Sequence, residues 1–73
     1  MTNFPGRRTL LDWSPKRGDR ELIVVLYELP DNAYTPYATW AARKDSPEDT
    51  FWGHYHGTLE DAQRDFEKRS FGV

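Results

Sequence analysis

The sequence contains no cysteine in its 73 residues, which excludes a disulfide scaffold and any thiolate metal centre and fits a reducing compartment. It also lacks an apolar run near the roughly 20 residues that a membrane helix requires. The longest such run, Leu22 to Tyr27, has the length of a strand. No glycine loop of the phosphate-binding kind is present, and Ser14, Ser46 and Ser70 lack the flanking glycines of a nucleophile elbow. The basic residues near the N-terminus are not followed by an apolar stretch of signal-peptide length. These absences predict an unprocessed cytoplasmic protein without cofactor, metal or catalytic activity. A chain this short has room for one core and buries only about 60% of its unfolded surface.

Charge is present in both signs but unevenly placed. The net charge of -2 combines a basic stretch over residues 1–20 (Arg7, Arg8, Lys16, Arg17 and Arg20 against Asp12 and Asp19) with a remainder holding five basic and ten acidic residues. Such an arm can contact phosphates or fold back on its own acidic body. Its apolar residues are Leu10, Leu11 and Trp13, with a short edge strand expected across Thr9 to Trp13.

Residues 21–73 read as strand, strand, strand, helix. Glu21 to Leu29 is β-branched and aliphatic without polar alternation, the pattern of a strand covered on both faces. Two prolines and an Asp-Asn pair force a turn over Pro30 to Pro36, after which Tyr37 to Lys44 forms a second strand. Asp45 to Asp49 is expected as a hairpin loop and Thr50 to His56 as the third strand. Thr58 and Asp61 have the spacing of a helix N-cap, so a helix starts at Leu59 with Leu59, Ala62 and Phe66 on one stripe. Glu60 and Asp61 suit the positive end of its dipole and Lys68 and Arg69 the negative end, with Gly72 as the stop. The expected fold is α+β: an antiparallel sheet of three or four strands with one C-terminal helix packed on one face.

Pairing Lys44 with Thr50 sets Ala42 opposite Trp52, Ala41 opposite Gly53, Trp40 opposite His54 and Ala38 opposite His56. The gap at Ala41 and Gly53 then seats the helix, and Trp40, Trp52, His54 and His56 share the face it does not reach. A one-residue shift of register would reverse this division. Eleven aromatic residues exceed what one helix can cover. The open face is therefore covered by the arm, by a second copy in a homodimer, or by a partner.

As a binding surface, that face offers Trp40, Trp52, His54 and His56, with Arg7 and Arg8 of the arm beside it. The acidic helix side, Glu60, Asp61, Asp65 and Glu67, is the second candidate surface, since it can imitate phosphates to a basic partner. His54 and His56 have the spacing of paired metal ligands, but no acidic residue is expected beside them to complete a site. Nucleic-acid binding through arm and aromatics is the alternative, opposed by the acidic body and by the small number of sheet cations, Arg43 and Lys44.

The segments WGHYH and LEDAQRDFEKR, with YATW before them, resemble small proteins carried by bacterial phages, plasmids and integrative elements. Within the span Tyr37 to Arg69 the most distinctive part is Trp-Gly-His-Tyr followed by a Leu-x-x-Ala-x-x-Asp-Phe helix. The resemblance implies no activity of its own. By analogy of size and origin it points to a non-catalytic protein-binding module, an inhibitor of a host protein such as an anti-CRISPR or other anti-defence protein.

Overall fold

The computed structural model describes residues 6–71. Four antiparallel strands, β1 (Thr9–Pro15), β2 (Leu22–Glu28), β3 (Tyr37–Arg43) and β4 (Ser46–His56), lie in sequential order and are followed by helix α1 (Leu59–Phe71). Gly72, the expected helix stop, lies outside the described residues. Among those residues no helix is long and apolar enough to cross a membrane.

The aliphatic run builds β2 as an inner strand, paired with β1 on one side and β3 on the other. Alternation divides its side chains. Ile23, Val25 and, just beyond the strand, Leu29 pack with Ala38, Trp40 and Ala42 on one face. Val24 and Leu26 pack with Ala62 and Phe66 of α1 on the other. The shortest dimension of the molecule, 16 Å, accommodates the sheet and one helix layer.

The edge strand runs two residues beyond its expected end and pairs Trp13 with Val25 and Pro15 with Ile23, with a bulge at Leu11. Residues 9–15 thus extend the sheet sideways and do not fold over the face of Trp40. The β1–β2 connection turns at Gly18, whose φ of 86° is one that residues with a side chain rarely adopt.

Helix α1 begins as its cap signature predicts: Thr58 Oγ1 accepts a hydrogen bond from the Asp61 N–H at 3.1 Å. Its buried positions are Ala62, Phe66 and Ser70, and Leu59, expected on that stripe, is exposed.

β4 departs furthest from expectation. Asp45 to Asp49 is not a free loop: Arg43 already pairs with Ser46, and the ladder is interrupted before Thr50 pairs with Ala42. A second irregularity falls opposite Trp40, between the pairs Thr39–His54 and Ala41–Phe51. There Trp52 adopts φ 56°, the left-handed conformation that a bulge normally gives to glycine, and Gly53 follows it. For a bulky side chain that conformation costs on the order of 1–3 kcal/mol.

From the bulge onward β4 presents the opposite faces to those expected, whereas β3 keeps Ala38, Trp40 and Ala42 on the face away from the helix. His54 stands opposite Thr39 and His56 opposite Tyr37, both on the helix side. Gly53 faces the other way: a Cβ there would lie 2.5 Å from Trp40 Nε1, so its missing side chain seats the indole and not the helix.

Candidate functional site

The four residues expected to share the open face are separated. Trp40 is buried at 5% exposure. Tyr27 and Tyr55 meet its ring edge-to-face at 5.6 and 5.7 Å, and the Arg8 guanidinium lies 5.2 Å from its centroid. It is therefore core. Trp52 stays 64% exposed, held by an edge contact with Phe51 at 4.8 Å.

His54 and His56 join a polar cluster between β3, β4 and α1, because the i, i+2 spacing on β4 turns both rings toward Asp65 on the helix. His54 Nδ1 lies 2.9 Å and His56 Nε2 3.3 Å from Asp65 Oδ2, and Thr39 Oγ1 donates to the same oxygen at 2.6 Å. An ionised carboxylate only accepts, so those two ring nitrogens carry the protons. Arg69 completes the cluster: one guanidinium nitrogen donates to Thr39 Oγ1 at 3.0 Å and the other to the Trp52 carbonyl at 2.8 Å. The bond to Trp52 fixes the backbone at the bulge.

Burial pushes the Asp65 carboxyl up, but the hydrogen bonds from Thr39, His54 and His56 and the charge of His54 outweigh it and hold the group below its ordinary value. Burial pulls the Arg69 guanidinium down, with Asp65 opposing. Asp65 therefore does not belong to an outward acidic surface. Glu60, Asp61 and Glu67 are exposed, and Asp61 meets Arg64 at 3.4 Å.

The absence of an acidic neighbour for the histidines, expected from the sequence, is corrected by Asp65. Even so, no group of three His, Cys, Asp or Glu side chains among the described residues is arranged to hold a metal ion. Nor does any hydroxyl among them hydrogen-bond to His54 Nε2, the position that a nucleophile activated by an Asp–His pair would occupy. The arrangement ties the helix to the sheet.

Three of the arm's arginines, Arg7, Arg8 and Arg17, bond to the protein's own body. Arg7 forms a two-pronged hydrogen bond with Asp31 at 2.9 and 3.1 Å, which raises its own pKa and lowers that of Asp31. Arg8 donates to Thr50 Oγ1 and to the Glu48 carbonyl, both at 2.9 Å, and covers Tyr27 and Trp40. Arg17 donates to the Phe71 carbonyl at 2.7 Å.

What the sheet leaves open lies over β1 and β2. A groove of about 530 Å³ runs along this side, and its lining includes Leu10, Trp13, Ile23 and Val25. Leu10 is 48% and Trp13 56% exposed. Of the covers expected for the open face, the arm with Leu10, Leu11 and Trp13 does not provide one: Leu10 and Trp13 line the groove and stay half-exposed. The signal that marked them was the apolar patch in an otherwise polar arm. No family model matches the chain, and neither a curated protein nor a solved structure matches it.

Proposed function

We propose that the protein is a non-catalytic protein-binding module that seats a partner on the open face of its sheet, over the β1–β2 groove. One observation carries this reading: among the described residues the one helix covers the opposite face, and an apolar groove flanked by half-exposed Leu10 and Trp13 is left uncovered. An apolar concavity of this size is the usual form of a recognition site. If the resemblance to mobile-element proteins reflects kinship, the module is a cytoplasmic inhibitor of a host protein, and the anti-CRISPR type is its sharpest form. Nucleic-acid binding is less favoured because Arg7, Arg8 and Arg17 are already bonded to the protein's own body.

The test is capture from nuclease-treated bacterial lysate with tagged wild-type protein and with Trp13→Asp, identifying bound chains by mass spectrometry. Circular dichroism checks that the variant folds, and Leu10→Asp serves as a second variant. A protein bound by wild type and lost with Trp13→Asp is the expected result. Identical recoveries from wild type and variant, or nucleic acid alone that disappears with nuclease, would overturn the reading.

A further inference from the structure

We infer that the occupant of the groove is an apolar peptide segment of a partner protein carrying a carboxylate side chain at one end. This rests on the groove being the binding site, as proposed above. The observation behind it is charge. The protein has 12 acidic and 10 basic residues, yet among the described residues the groove is lined by Arg20 and Lys44 and by no carboxylate.

Both cations stand at the same end. Arg20 precedes β2, and Lys44 follows β3, whose last residue Arg43 pairs with Leu22 at the start of β2. Arg20 makes no hydrogen bond or ion pair with another described residue. The Lys44 ammonium stands 4.0 Å from Glu21, at the outer limit of an ion pair, with both side chains more than half exposed. Such a pair contributes little and yields readily to a better acceptor.

Of the other arm cations, Arg7, Arg8 and Arg17 have found partners within the protein, while Lys16, like Arg20, makes no side-chain bond to another described residue but does not line the groove. A second copy of the chain suits the site poorly, because its own groove supplies apolar groups and cations but no carboxylate to meet Arg20 and Lys44. A segment with apolar side chains over Ile23 and Val25 and a terminal Asp or Glu between the two cations satisfies both halves of the site.

The experiment is selection from a displayed library of random short peptides on three immobilised proteins: wild type, Trp13→Asp, and the double variant Arg20→Glu/Lys44→Glu, each checked for folding by circular dichroism. The double variant Arg20→Gln/Lys44→Gln serves as a second charge change. Peptides that bind wild type and not Trp13→Asp are expected to hold apolar residues with Asp or Glu to one side. One such peptide, synthesised, is expected to bind the charge-reversed protein roughly 10- to 100-fold more weakly, and Lys or Arg is expected to replace the acidic residue when that protein is the bait.

Trp13-dependent peptides without acidic bias, or with a bias that charge reversal leaves in place, would overturn the stated partner chemistry while the groove remained a binding site. Absence of any Trp13-dependent peptide would overturn both.

Discussion

On one face of the sheet Val24 and Leu26 are sealed by Ala62 and Phe66, and the helix that carries those residues is fastened by Asp65 to Thr39, His54 and His56. On the other face Ile23 and Val25 reach comparable burial without a helix, beside an indole that Tyr27, Tyr55 and Arg8 enclose. The first closure is directional, since each bond demands a particular atom in a particular place. The second depends on shape, namely a gap at Gly53 filled by Trp40. Neither closure extends over the edge strand β1, and the groove lies on the second side, over β1 and β2.

The comparison is broken most severely at Trp40. Trp40→Ala should cost about 3–5 kcal/mol in urea denaturation, as for other buried tryptophans. Gly53→Ala, which forces a methyl group against the same indole, should also destabilise clearly; tolerance of both changes would show that the open face has no core of its own.

On the helix face, Asp65→Asn replaces an acceptor shared by three donors and should cost about 1–3 kcal/mol. The same residue gives this face a pH dependence. Its folded pKa lies below the unfolded value of about 3.9, so its contribution is complete above roughly pH 5 and disappears as the pH falls through the folded value. Stability measured across that range should fall for wild type and should be flatter for Asp65→Asn. Variants of the groove such as Trp13→Asp should leave this acid response unchanged.

The smallest effect has the opposite sign. Ser70 Oγ is buried under α1 without a hydrogen-bond partner among the described residues, and Ser70→Ala should raise stability by about 1 kcal/mol. A loss on that substitution would mean that the hydroxyl is satisfied in solution.

Strand β2 and helix α1 were legible in the sequence because their signals are local: an unbroken aliphatic run, a Thr cap, and acids and bases at opposite ends of one helix. The faces of β4 were not, and one residue accounts for it. Left-handed backbone at a bulge is announced by glycine, whereas here tryptophan occupies that position and glycine comes one step later. Counting two residues per repeat through Trp52 then places His54 and His56 on the wrong side and hides their carboxylate partner. The groove was half legible: Leu10 and Trp13 stood out as apolar residues in a charged stretch, but a strand that extends a sheet and a strap that covers it have the same composition.

A body 16 Å through at its narrowest has no depth in which to hide chemistry. Every core side chain lies within one layer of a face, so a contact made on one side is separated from the other only by the thickness of a peptide backbone. Val25, packed against Trp40, and Val24, packed against Ala62 and Phe66, are consecutive residues of one strand. For a protein of this build, surface and interior are two sides of one strand.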